Sequence, residues 1–224
     1  IPLRLVGSEM CIRDRIAPDP PFSEALLMRV LASAHEAGIE PAIIVNKSDL
    51  LEASARIEPR LEVYQRLGYR LFKIAPGPDP GGAAQTVHPW LAGRLTAVVG
   101  QSGMGKSTLI NALVPGADLA TQSISEALGT GRHTTTFTKA FQLPNDGWII
   151  DSPGFQEFVL GHLSDSQLAH SIPEIREYMG ACRFSNCRHL EEPDCAVRAA
   201  VADGSIDARR MQIWRELIGD VRRL

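Results

Sequence analysis

From Phe22 to Gly38 the chain reads FSEALLMRVLASAHEAG, with apolar residues at 26, 27, 30, 31 and 34. That spacing predicts an amphipathic helix, with Ser23 as its N-cap and Gly38 as its stop. The apolar run Ala42–Val45 predicts a buried strand that ends on Asn46-Lys47-Ser48-Asp49, followed by a helix over roughly 52–67. A short strand over 69–74 leads into APGPDPGG, whose composition predicts a loop. LTAVV (95–99) is a second buried strand, running into a glycine-rich turn and the helix SGMGKSTLINALV. Residues 116–135 are polar and rich in Gly and Thr, without a period, and predict a mobile loop. The segments 137–143 and 148–150 form a hairpin around Pro-Asn-Asp-Gly. Beyond about residue 162 the pattern becomes helical, interrupted by a cysteine cluster.

Strands alternating with helices imply an α/β fold with a mostly parallel, doubly wound sheet. The expected organisation is one such domain over 16–162 and a small, mainly helical domain over 163–224. The first fifteen residues, IPLRLVGSEMCIRDR, show neither strand alternation nor a helical apolar face. LVGSEMCIRDR reads as a translated sequencing-adapter fragment. Natural sequence is therefore expected to resume near Ile16, and Cys11 receives no role.

Composition narrows the class without naming it. With 224 residues, 44% apolar and 22% charged, the chain has room for one large domain and a small appendage. A net charge of −3 argues against a polycationic nucleic-acid binder, although a local basic surface remains open. No apolar run approaches a membrane span, and the N-terminal charges do not suit a signal peptide. Three of the four cysteines fall between 182 and 195, which suits a metal site in a reducing compartment, the cytoplasm.

Gly100-Gln101-Ser102-Gly103-Met104-Gly105-Lys106-Ser107 matches the phosphate-loop pattern in full, after a strand and before a helix that continues with Thr108. Its glycines let backbone N–H groups turn toward phosphate oxygens, and the helix N-terminus adds partial positive charge. Lys106 would reach the β- and γ-phosphates and the Ser107 hydroxyl would ligate Mg²⁺. A glycine turn that merely caps a helix is the plainer reading, and the complete match disfavours it. Asp151-Ser152-Pro153-Gly154 at a strand end matches D-x-x-G. There Asp151 would meet Mg²⁺ through water and the Gly154 N–H would sense the γ-phosphate, whereas D-x-x-G alone is often only a β-turn. Between the two lies Gly131-Arg132-His133-Thr134-Thr135-Thr136, where one threonine, Thr135 by preference, is the candidate Mg²⁺ ligand. The simple start of a strand is the alternative.

Asn46-Lys47-Ser48-Asp49 spells a guanine reader. One carboxylate, Asp49, can accept both the N1–H and the N2–H₂ of guanine, whereas adenine would leave it unpaired. Asn46 would bridge the base side and the phosphate loop, and the Lys47 stem would cover the ring. An ATP-using enzyme is disfavoured on Asp49. The motif precedes the phosphate loop, which is the order of a circularly permuted GTPase, an arrangement that domains with neighbouring termini tolerate.

Cys182, Cys187, His189 and Cys195 are spaced C-x₄-C-x-H-x₅-C. Three thiolates and an imidazole close a tetrahedral set, which suits structural Zn²⁺ with no open catalytic position. Buried cysteines beside a solvated histidine are the plainer reading, and a redox pair lacks its C-x-x-C.

GQSGMGKSTLIN, GRHTTT, DSPGF, the upstream NKSD and the cysteine cluster running into EPDCAV together resemble the RsgA (YjeQ) family of circularly permuted, small-subunit-dependent GTPases. The resemblance covers about residues 16–218. It implies GTP hydrolysis to GDP and phosphate, stimulated by the small ribosomal subunit, and a role in late maturation of that subunit. It also implies contact with rRNA through the zinc domain and switch regions, by a monomer without membrane contact. Family members carry an N-terminal OB-fold domain, which is expected to be absent here, and the strand before Ile16 is expected to be missing or overwritten. Ala75-Pro76 stands where the family often has Ser-Ala for a backbone contact to guanine O6. Phe155 follows D-x-x-G in place of a water-orienting glutamine, so hydrolysis should depend on a partner. His133 is the candidate for positioning water, with an rRNA phosphate contact or plain solvation as alternatives. Against the enzyme stands a second class: a zinc-stabilised rRNA- or protein-binding module whose nucleotide site only gates docking.

Overall fold

A computed structural model describes residues 10–17, 22–101, 103–119, 138–151 and 160–221. The chain divides into two compact units, Ile1–Phe22 with Ile39–Gln156 and Ser23–Gly38 with Glu157–Leu224.

In the first unit six strands form one sheet: β1 (Met10–Ile16), β2 (Glu40–Val45), β3 (Arg70–Lys73), β4 (Leu95–Gly100), β5 (Lys139–Gln142) and β6 (Trp148–Asp151). Their order is β3-β2-β1-β4-β6-β5, and every described pairing is parallel except the β5–β6 hairpin. Among the described residues the helices of this unit are α2 (Leu51–Arg66), α3 (Pro80–Leu91) and α4 (Lys106–Leu113), while α1 (Glu24–Glu36) belongs to the other unit. Val87, Leu91, Leu109 and Ile110 from α3 and α4 share a buried core with Ala42, Ile44, Val98 and Ile149 of the strands. These strands read as continuous apolar runs because a parallel sheet is covered on both faces.

Two expectations change here. The strand expected to be missing before Ile16 is present: β1 pairs with β2 on one side and β4 on the other. Ladder hydrogen bonds belong to the backbone, so an extended segment fills that position even where the spelling lacks the apolar run usual for an interior strand. The APGPDPGG stretch is also not loop throughout. Its last three residues open α3, because Asp79 accepts the Gly82 N–H at 2.8 Å and Pro80 sits in the first turn, where its missing N–H costs nothing. The expected mobile loop lies largely outside the described residues.

The second unit is helical. It holds α1, α5 (Asp165–His170), α6 (Pro173–Arg176), α7 (Ala196–Ala202) and α8 (Ala208–Val221). The Ser23 hydroxyl caps α1 by accepting the Leu26 N–H at 3.2 Å, and Gly38 follows the helix in the left-handed region. Ser164 and Gln167 form a capping box at α5. Met28 and Ala32 of α1 join Leu168, Ile172, Trp214 and Leu217 in one core. Arg29 pairs with Asp220 at the rim, and Glu174 pairs with Arg210 inside it.

Candidate functional site

The nucleotide motifs of the first unit lie along one edge of its sheet. β2, β4 and β6 run parallel in the order β2-β1-β4-β6, so the 46–49 loop, the turn that starts at Gly100 and the Asp151 carboxylate lie at one edge of the sheet. In a doubly wound sheet this edge is where ligands bind. Between Gly100 and Lys106 the backbone turns through left-handed conformations at Gly103 (φ +82°) and Gly105 (φ +81°), which only glycine adopts without strain. Gly105 is the N-cap of α4 and offers no side chain to the first-turn N–H groups, leaving them for an anion. Gln101, Ser107 and Thr108 are half-buried around this turn, and Met104 is buried. Lys106 Nζ donates to Asp151 Oδ1 at 2.5 Å, so the lysine of the loop and the carboxylate at the end of β6 meet at one point.

The 46–49 loop is fastened from both sides. The Asn46 N–H donates to Ile16 O at 2.8 Å, and the Ser48 N–H donates to Ile74 O at 3.1 Å. Asn46 Nδ2 donates to the Met104 carbonyl at 2.7 Å, a direct tie from the 46–49 loop to the phosphate loop. Its Oδ1 is buried without a hydrogen-bond partner among the described residues. An unmatched buried acceptor costs about 1–3 kcal/mol, a cost that a donor supplied at this point would remove. Lys47 takes a left-handed backbone (φ +56°), Ser48 is half-buried, and Asp49 stands exposed at the tip. Ser102, His133, Thr134, Thr135, Thr136 and Gly154 lie outside the described residues. Sequence reasoning missed the Met104 carbonyl, because a backbone acceptor has no spelling.

In the second unit the ligand atoms of Cys182, Cys187, His189 and Cys195 all lie within 4.8 Å of one another. His189 Nδ1 is 3.5 Å from Cys182 Sγ and 3.4 Å from Cys195 Sγ, and those two sulfurs are 3.9 Å apart. A disulfide would need about 2.05 Å. Zn–S arms of about 2.3 Å at a tetrahedral angle place sulfurs about 3.8 Å apart, so the cage fits that ion. Burial pushes the Cys187 thiol up to about 12, a rise that the neighbouring Cys195 and Cys182 reinforce against a backbone hydrogen bond at His189. Burial also lowers the His189 pKa, which keeps the imidazole neutral and fit to ligate. Two supporting groups escaped the sequence. Trp214 Nε1 donates to Arg188 O at 3.0 Å, and Glu192 gathers backbone N–H groups of the loop.

With these geometries in place, the chain can be set beside known proteins. The RsgA GTPase family model matches residues 16–161. The chain belongs to the RsgA GTPase family. It is 46% identical over 207 residues to the small ribosomal subunit biogenesis GTPase RsgA of Ralstonia pickettii (strain 12J), covering 91% of this chain and 66% of that protein. It is 47% identical over 204 residues to the protein of that description from Paraburkholderia phymatum, covering 91% of this chain and 64% of that one. The chain thus spans just under two thirds of the length of these relatives. Among solved structures it is similar to YloQ, a circularly permuted GTPase (28% identity, TM-score 0.75, 96% of this chain and 68% of that one). It is also similar to YjeQ from Thermotoga maritima (25% identity, TM-score 0.78, 96% and 72%). The permuted sheet read from motif order is the family's fold.

Proposed function

We propose that this chain is a GTP hydrolase of small-subunit maturation, its turnover stimulated by the small ribosomal subunit. The observation that carries the reading is the 2.7 Å bond from Asn46 to the Met104 carbonyl, which joins a guanine-reading loop to a phosphate loop. Asp49 selects guanine by accepting two donors at once, and the stem of Lys47 covers the ring. Backbone N–H groups of 100–105 and the first turn of α4 hold the phosphates, with Lys106 on the β- and γ-oxygens. Ser107, Thr135 and Asp151 are the side that would hold Mg²⁺, which when bound screens the charge of the phosphate oxygens. Gly154 senses the γ-phosphate through its N–H, and His133 positions water when the partner is bound. The cysteine–histidine cage holds one structural Zn²⁺ in a unit that, with the switch segments, contacts rRNA. The names of the relatives and the full set of nucleotide motifs support this reading.

Nucleotide choice tests the site. Guanine offers an amine at C2 where xanthine offers a carbonyl. Asp49→Asn should therefore move preference from GTP to xanthosine triphosphate by at least ~100-fold, on the scale of discrimination by buried polar pairing. Equal GTP affinity in wild type and variant would remove Asp49 from base recognition.

A further inference from the structure

His189 combines two properties that seldom coincide. Its side chain belongs to the four-residue cage, and its backbone lies in the left-handed region (φ +63°) that a β-carbon disfavours. Something must hold the chain there, and the hydrogen bonds around it identify the group. Glu192 Oε1 accepts the Arg188 N–H at 3.1 Å, from the residue before His189. Its Oε2 accepts the Leu190 N–H at 2.9 Å, from the residue after, and the Glu191 N–H at 3.1 Å. One carboxylate thus grips the backbone on both sides of the histidine. From the other side Trp214 donates to Arg188 O, and its ring lies 6.2 Å from the imidazole, centroid to centroid.

We infer that Glu192 is the positioning residue of the metal centre: by bracketing His189 it pre-forms the cage around Cys182, Cys187 and Cys195. Glu192 opens the EPDCAV stretch, whose letters assign it no role, and contacts separate it from Glu191. Glu191 is exposed and Glu192 half-buried, and it is the Glu192 carboxylate that takes three backbone donors. Without it the loop loses the bonds that offset the left-handed conformation, and the imidazole must be ordered by the metal itself. Affinity then falls although every ligand remains. The inference rests on reading the cage as a metal centre, and the test separates the two.

Cobalt(II) reports both coordination and affinity, through ligand-field and thiolate charge-transfer absorption. The experiment titrates the reduced full chain and its Glu192→Ala, Glu192→Gln and Glu191→Ala variants with Co²⁺, followed by Zn²⁺ competition. Glu192→Ala should bind about 10–100-fold more weakly, the usual scale for a group that orients a ligand, with the tetrahedral absorption kept. Glu192→Gln keeps one acceptor oxygen and should fall between it and wild type, which also covers the case of an alanine variant that does not fold. Glu191→Ala should match wild type. Glu192 variants within about twofold of wild type would overturn the inference, as would an equal loss in Glu191→Ala, which would mark a general effect of charge. A wild-type chain without the thiolate band would overturn the metal reading itself, and the inference with it.

Discussion

At the scale of single residues, both sites depend on groups whose partners are fixed by backbone geometry. Asn46 was legible because Asn-Lys-x-Asp carries its chemistry in its letters. Its hold on the Met104 carbonyl was not, since any residue at 104 presents the same acceptor. Cys187 and His189 were legible from ligand spacing, while the charge state of the cage comes only from their packing. A thiol pushed up to about 12 is protonated at neutral pH and must lose that proton to a metal. Metal and proton compete, so Zn²⁺ affinity should rise with pH and fall on acidification, by about tenfold per pH unit for each proton released. Zn²⁺ competition titrations at two pH values, with proton release followed in buffers of different ionisation enthalpy, check this. An affinity independent of pH would mean that the Cys187 thiol is already ionised.

At the scale of elements, strands bounded by chemical motifs were read well and elements opened by loop-like letters were not. β2, β4 and α4 carry apolar runs next to recognisable turns, so periodicity and motif agreed. α3 begins Pro-Gly-Gly, which spells a loop, and only the Asp79 carboxylate accepting the Gly82 N–H turns it into a helix start. The interior position of β1 was hidden for a different reason. Its charged letters lack an apolar run, and ladder pairing is a property of backbone that letters do not express. The cap gives a direct test. Asp79→Ala should cost about 0.5–2 kcal/mol of stability, seen as a lower urea midpoint at unchanged slope. An unchanged midpoint would mean that packing of Val87 and Leu91 alone sets this helix.

At the scale of the whole molecule, the order of motifs announced a permuted sheet, and the family match bears that out. The assignment of α1 was not legible. Its amphipathic pattern shows that one face is buried and not against what, and Met28 and Ala32 join the helical core of the second unit. The helix that precedes β2 in sequence is therefore packed with the unit that carries the cysteine–histidine cage. Metal removal should be felt there: chelation should raise amide exchange in Glu24–Glu36 together with Asp165–Val221, and far less in β2 and β4. Protection of α1 that survives chelation would show that its packing does not depend on the cage.

The proposed activity is that of a guanine-specific hydrolase that a partner switches on. Its most direct test is phosphate release from GTP and from ATP by this chain, with and without purified small ribosomal subunits. Slow release from GTP alone, a clear rise on adding small subunits, and no release from ATP in either case are expected. GTP turnover indifferent to the small subunit, or ATP turned over as well as GTP, would contradict it.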